Sequence, residues 1–153
     1  MMAQVVEIIT STGFFGMIFY VFITAIAVVI APISTFPLIP IASIVWGYVV
    51  AAILSIIGWT IGAQIAFIIA RRFGKPLVQK FISLEKLEIF EKRIPDKNLF
   101  WSIVVLRMTV PVDILSYALG LFSKISYSKY FWATIIGVTP FAFIFSYIVT
   151  FYK

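Results

Sequence analysis

Two charged side chains, Arg107 and Asp113, lie in a stretch that is otherwise uncharged from residue 99 to residue 122, with Pro111 between them. A charge at the centre of a bilayer costs about 2.5–3.5 kcal/mol on insertion scales, so membrane segments rarely keep one without a function or a partner. A guanidinium matches phosphate oxygens with two parallel hydrogen bonds, which suits a lipid headgroup. These residue types therefore predict a polar site for an anionic headgroup.

Each charged residue has two interpretations. Arg107 either binds the headgroup or carries its charge along its stem to the membrane surface. Asp113 either caps a half-helix at 114–121 and pairs with Arg107, or takes up a proton in low-dielectric surroundings and couples movement to a proton gradient. Pro111 breaks the helix beside the guanidinium because it has no N–H to bond the carbonyl of residue 107. Tyr117 adds a hydroxyl that would line the same polar groove.

The composition places these residues in a membrane protein. Hydrophobic residues make up 63% of the chain and charged residues 12%, and the mean hydropathy is +1.12. Uncharged runs at 13–31, 47–70 and 130–152 each reach the roughly 19–20 residues that cross about 30 Å of hydrocarbon as a helix. Helices are expected because they satisfy their own backbone hydrogen bonds in lipid. The sequence predicts a single-domain, all-α membrane protein over residues 1–153, with about three transmembrane helices.

Other chemistry is disfavoured. The chain has no histidine and no cysteine, which removes the commonest general base, the commonest metal ligands and thiolate chemistry. It has no Gly-x-Ser-x-Gly motif and no paired carboxylates for a metal. We therefore expect no enzyme activity, no metal and no cofactor.

The net charge of +6 lies mainly in the loop at 71–98. An excess of Lys and Arg between membrane segments predicts a cytoplasmic loop and not a nucleic-acid partner. Within it, apolar residues at helical spacing predict a surface amphipathic helix over 83–94. Residues 1–12 are expected to form a short interfacial segment.

Two proline-broken segments stand in matching positions of the two halves. Residues 32–47 are uncharged but contain three prolines within nine residues, so they cannot form one continuous helix. The correspondence pairs Pro40 with Pro111, Gly47 with Gly120 and Gly58 with Gly137. Duplicated broken segments of this kind indicate the central site of a transporter. They predict two re-entrant hairpins that enter from opposite faces as an inverted repeat.

A topology follows from counting segments. From a cytoplasmic N-terminus, the span at 13–31 crosses the membrane outward. The first hairpin then enters the membrane from outside, and the span at 47–70 crosses back in the opposite direction. The second hairpin enters the membrane from the cytoplasmic side, which keeps Lys124 and Lys129 cytoplasmic. The span at 130–152 then crosses the membrane outward. Hinge or close-packing roles are expected at Pro37, Pro40, Gly47, Gly58, Gly62, Gly120, Gly137 and Pro140.

The second half carries Arg107, then Pro111-Val-Asp113-Ile-Leu-Ser-Tyr117-Ala-Leu-Gly120, then Tyr130 and Thr134-Ile-Ile-Gly137-Val-Thr-Pro140. The first half carries Gly58-Trp-Thr-Ile-Gly62-Ala and Ala70-Arg71-Arg72-Phe73-Gly74-Lys75. In these motifs the chain resembles the DedA superfamily, also called the VTT or SNARE-associated Golgi protein domain family. The resemblance is closest to its Golgi-vesicle-protein-like branch.

The resemblance implies movement of phospholipid or polyprenyl-phosphate headgroups between the leaflets of the plasma membrane, and it adds Arg71 to the headgroup-binding residues. Bacterial members often carry a membrane-embedded acid in the first hairpin, whereas residues 8–82 here contain none. The second hairpin is therefore expected to hold the polar site. Membrane lipids with anionic headgroups are the expected partners, with protons as a coupling ion and a homodimer as the assembly. The alternatives are a non-transporting membrane assembly factor and a small ion-coupled solute transporter.

Overall fold

The computed structural model describes residues 13–30, 38–80, 98–109 and 112–152, together with residues 3, 4, 7, 83, 85, 88, 89 and 92. For residues 109, 112–114 and 152 it describes the backbone only. Every regular element in this part of the chain is helical. The helices are α1 (Phe14–Val29), α2 (Leu38–Trp46), α3 (Tyr48–Phe73), α4 (Lys75–Val78), α5 (Leu99–Thr109), α6 (Val112–Phe122) and α7 (Tyr127–Ile148), which continues into a 3-10 turn (Val149–Tyr152).

Two of these helices are long and apolar enough to cross a membrane. They are α3, with 26 residues, and Tyr127–Phe151, the 25 residues of α7 and most of its 3-10 turn. An 18-residue stretch has a mean hydropathy of 2.0 in the first and 1.8 in the second. They correspond to the predicted spans at 47–70 and 130–152. The predicted span at 13–31 is the shorter α1, whose 16 residues measure about 24 Å. The described residues thus offer two spanning helices where the sequence predicts about three.

The direction of α1 corrects the predicted topology. Gly58 of α3 lies against Val21 and Thr24 of α1, and Gly62, one turn later, lies against Val28. Because the positions rise together along both helices, α1 and α3 run parallel. The expectation that the first and second spans run in opposite directions is therefore wrong. It assumed that the first apolar run crosses the membrane completely.

Helix α3 lies at the centre of the bundle, where it contacts α1, α2, α6 and α7, while α5 packs on α7. Helices α3 and α7 are antiparallel. Phe67, near the end of α3, contacts the ring of Tyr127 at the start of α7, and Tyr48 contacts Tyr147 at the opposite end, with ring centroids 5.6 and 5.2 Å apart. The C-terminal end of α3 therefore meets the N-terminal end of α7.

The outer surface of the bundle is apolar. Ile53, Ile57, Ile61 and Ile65 repeat every fourth residue along α3, and each is 42–46% exposed. A continuous apolar stripe on the outside of a soluble monomer would be unfavourable, whereas lipid tails cover such a surface without cost. This surface and the two long apolar helices support a membrane protein.

The helix interruptions follow from local chemistry. Gly47 separates α2 from α3 with φ 86°, which a residue with a side chain adopts only with strain. Helix α5 ends at Thr109 and α6 begins at Val112, so the second interruption lies where the sequence predicts one. Pro111 itself lies outside the described residues, as does Pro37.

Two further prolines lie within helices. Pro40 occupies the first turn of α2, where a missing N–H leaves no helical bond unmade. Pro140 lies inside α7, where it removes one backbone hydrogen bond.

Basic side chains gather at one end of the bundle. Arg72 is exposed in the last turn of α3, Lys75 and Lys80 are exposed just after it, and Lys124 and Lys129 are exposed around the start of α7. The antiparallel packing of α3 and α7 places both groups at the same end. Most of the predicted surface helix at 83–94 and of the segment at 1–12 lies outside the described residues.

Candidate functional site

Arg107 is buried inside the bundle although it carries a charge. It lies in the last turn of α5 and is only 3% exposed. Its stem passes over Gly137 of α7, where an added Cβ would lie 2.6 Å from the Cβ of Arg107. The absence of a side chain at Gly137 therefore lets α5 approach α7 at the point where the arginine enters the core.

Hydroxyl groups from two helices hold the guanidinium. Nη2 of Arg107 donates to Oγ of Ser116 on α6, 3.2 Å away, and to the hydroxyl of Tyr130 on α7. The Tyr130 hydroxyl also lies 2.8 Å from Oγ of Ser116 and 3.4 Å from the carbonyl oxygen of Ala63 on α3. Ser116 and Tyr130 are both fully buried. The cluster thus brings together four helices.

These contacts orient the guanidinium of Arg107 inside the bundle. A buried cation is costly unless it is paired and fully hydrogen-bonded, so the hydroxyls lower the cost of burying it. A phosphate that reached this cluster would accept hydrogen bonds from both the guanidinium and the hydroxyls. The arrangement is therefore chemically suited to bind an oxyanion.

The other residues predicted for the second hairpin are only partly described. Tyr117 is fully buried, and its hydroxyl donates to the carbonyl of Val29, the last residue of α1. It therefore connects α6 to the end of α1. Asp113 lies in the first turn of α6, which begins at Val112, so its backbone is inside the helix and not at the predicted N-cap position. Its side chain lies outside the described part of the chain.

Arg71 lies in the last turn of α3, and its guanidinium donates hydrogen bonds to two backbone carbonyls. Nη2 donates to the carbonyl oxygen of Ser123, 2.7 Å away, and Nη1 donates to that of Ile125. Both carbonyls belong to the segment that links α6 to α7. The Arg71 guanidinium also lies over two aromatic rings, 4.3 Å from the centroid of Phe67 and 5.4 Å from that of Tyr127.

An aromatic pair separates the two arginines. Phe67 and Tyr130 stack with centroids 4.0 Å apart and an interplanar angle of 14°. Arg71 lies on Phe67, and the Arg107 Cζ lies 5.2 Å from the Tyr130 centroid. Sequence reasoning did not identify Phe67. Its spacing of four residues from Arg71, on the same face of α3, was the available signal.

The glycines singled out within helices lie at close helix contacts. Gly58 and Gly62 face α1, Gly120 of α6 faces Ala70 of α3, and Gly137 faces Arg107 of α5. An added Cβ at Gly120 would lie 2.6 Å from the Cβ of Ala70. Small residues at these positions allow the helices to pack closely in lipid.

Comparison with models of known protein families gives a match over most of the chain. The family model described as the VTT domain matches residues 32–151. This range contains every residue of the Arg107 cluster and Arg71. Neither a curated protein nor a solved structure matches the chain.

Proposed function

The chain belongs to the VTT domain family of the DedA superfamily, and on that premise we propose that it is a lipid translocase, a flippase or scramblase. The phosphate headgroup of a phospholipid or polyprenyl phosphate would pass by Arg107, while its acyl chains remain in the bilayer. A VTT domain is consistent with a membrane transporter or flippase-like role, and the motif similarity favours the Golgi-vesicle-protein-like branch.

The observation that carries this proposal is the buried guanidinium of Arg107. It is buried, it donates to the hydroxyls of Ser116 and Tyr130, and the bundle around it has an apolar exterior. A lipid phosphate combines the anion that such a cluster binds with the tails that such an exterior accommodates. A sterol or fatty chain would not need the cation, whereas a small ion-coupled solute transporter would share both the cation and the apolar exterior, so the liposome assay separates it from a lipid translocase.

The packing supports an internal repeat with inverted halves. Gly58 packs against Val21 and Thr24 of α1, and Gly137 packs against Val104 and Arg107 of α5. In both contacts the two residues on the shorter helix are three positions apart. Arg107 reaches from Gly137 back toward the start of α7. Because helical side chains lean toward their own N-terminus, α5 runs parallel to α7, as α1 does to α3. Since α3 and α7 are antiparallel, the two units would point in opposite directions across the membrane.

In this repeat, Thr24 occupies in the first half the position of Arg107 in the second. An uncharged threonine there agrees with a polar site that only one half carries. We propose that α1 with α2, and α5 with α6, form the two re-entrant hairpins. This revises the predicted arrangement, in which α1 was a separate span.

The orientation of the protein is also a proposal. The basic end formed by the C-terminus of α3 and the N-terminus of α7 would face the cytoplasm of a plasma membrane, because Lys and Arg favour that side. Asp113, close to Arg107 in the chain, would carry the proton if transport is proton-coupled. A homodimer would extend the surface along which the headgroup moves.

Purified protein in liposomes tests the function. A fluorescent phosphatidylcholine in the inner leaflet is protected from an impermeant reductant unless it moves outward. Wild-type protein should remove that protection, and Arg107→Ala should restore most of it, whereas Arg72→Ala, at an exposed arginine, should not. Repeating the assay under an imposed pH gradient reports proton coupling. If wild-type liposomes keep the lipid fully protected across several headgroups, the protein is not a translocase, and the assembly-factor alternative is favoured.

A further inference from the structure

Arg71 and Phe67, one turn apart on α3, both contact residues at the start of α7. We propose that both are positioning residues for Arg107, which they hold in place by fixing Tyr130. This inference rests on the proposed role of Arg107 in headgroup binding. It differs from the expectation that Arg71 itself binds the headgroup.

The first route from Arg71 to Tyr130 runs through the backbone. Arg71 bonds the carbonyls of Ser123 and Ile125, immediately before Ser126, the N-cap of α7. The hydroxyl of Ser126 accepts a hydrogen bond from the N–H of Lys129 at 3.3 Å. The backbone carbonyl of Ser126 accepts one from the N–H of Tyr130 at 3.0 Å. Tyr130 thus lies in the first turn of the helix whose start Arg71 anchors.

The second route runs through the rings. Phe67 stacks on Tyr130 at 4.0 Å and carries the Arg71 guanidinium 4.3 Å from its centroid. The face of an aromatic ring attracts cations, so Arg71 holds Phe67 in the orientation that the stack requires. The Tyr130 hydroxyl then lies at the guanidinium of Arg107. Loss of either outer contact would let the tyrosine shift and would release one hydrogen bond of Arg107.

Lysine at position 71 separates positioning from surface charge. Arg71→Lys keeps the positive charge at the basic end of the bundle. An ammonium lacks the planar fork that reaches two carbonyls and lies flat on a ring. If Arg71 acted only through its charge, Arg71→Lys would behave as wild type. If it positions Arg107, the substitution weakens the site although the charge remains.

The Arg107 guanidinium can be observed directly, because the chain has only four arginines. We suggest 15N NMR of arginine side chains in detergent micelles, with the Arg107 signal assigned from its disappearance in Arg107→Lys. The Arg107 signal should shift in Arg71→Lys and in Phe67→Leu. It should stay at its wild-type position in Phe67→Tyr, which retains an aromatic ring. Two controls should leave it unchanged. Arg72→Lys alters the neighbouring exposed arginine, and Phe141→Leu removes a ring that pairs with Trp59, away from the stack.

The same variants in the liposome assay connect position to transport. Arg71→Lys and Phe67→Leu should slow lipid movement about tenfold, as expected for the loss of one hydrogen bond to a charged group. An unchanged Arg107 signal in a folded Arg71→Lys protein overturns the inference, whatever the transport rate. If Phe67→Leu does not fold, the Arg107 signal in Arg71→Lys is sufficient to test the positioning role. If wild type moves no lipid but the signal still shifts, the proposed function fails and the positioning remains.

Discussion

Gly137→Ala should disable the Arg107 site by steric pressure alone. The new Cβ would lie 2.6 Å from Cβ of Arg107, 3.0 Å from its Cγ and 3.2 Å from the carbonyl oxygen of Val104. Ordinary contacts begin at 3.4 Å, so α5 must move away by at least about 0.8 Å, the difference between the two distances. Neither a Cβ nor a backbone carbonyl can relieve the clash by rotating.

The cost to stability is moderate. Overpacking of a well-packed core costs about 1–3 kcal/mol, and alanine recovers about 1 kcal/mol over glycine within a helix. Gly137→Ala should therefore lower the free energy of unfolding by at most about 2 kcal/mol. The displacement acts at the guanidinium, where losing a charged hydrogen bond of about 1.5–3 kcal/mol would slow lipid movement roughly tenfold to a hundredfold.

Gly58→Ala is the matched control. Its Cβ would lie 2.9 Å from Cβ and Cγ2 of Thr24 and 3.2 Å from the carbonyl oxygen of Val21, so it makes a similar clash with α1. Thermal unfolding in detergent should show similar losses for both variants, while the liposome assay should show a large loss only for Gly137→Ala. Equal transport rates for the two variants at equal stability would refute the reasoning, because the position of Arg107 would then not matter.

Three further substitutions test the packing through thermal or chemical unfolding in detergent. Tyr117→Phe removes the hydroxyl that bonds the carbonyl of Val29, so it should lower stability by about 1–3 kcal/mol, and an unchanged midpoint would argue against that bond. Gly120→Ala would place a Cβ 2.6 Å from a backbone carbonyl oxygen of α3, and a cost below about 1 kcal/mol would contradict this close contact. Thr134→Val should leave stability unchanged or raise it by about 1 kcal/mol, because its buried hydroxyl has no hydrogen-bond partner among the described residues; a clear loss would count against this geometry.

The sequence predicts what depends on local composition. The two long apolar runs become α3 and α7 with its 3-10 turn, within three residues of the expected ends, because a helix in lipid continues while its residues stay apolar. The interruption between Thr109 and Val112 follows from the proline between them. Arg107 could be chosen as a candidate site residue from the sequence alone, because a charge in an apolar membrane segment is costly and therefore rare.

The remaining features depend on contacts between distant residues. Hydropathy counts apolar residues, so it could not show that α1 ends at Val29 or that it runs parallel to α3, which the contacts at Gly58 and Gly62 determine. Tyr130 lies 23 residues from Arg107, and no spacing rule joins them. The partners of Arg71 are backbone carbonyls, which every residue has, so no sequence pattern indicates them.

In the proposed mechanism, the guanidinium of Arg107 binds the phosphate of a lipid that crosses the bilayer. Arg107→Lys tests it most directly, because lysine keeps the charge but loses the planar fork that binds two phosphate oxygens. In liposomes with a fluorescent phosphatidylcholine, the variant should move lipid at least about tenfold more slowly than wild type while unfolding at a similar temperature. If a folded Arg107→Lys protein moves the lipid as fast as wild type, Arg107 does not bind the headgroup through its guanidinium.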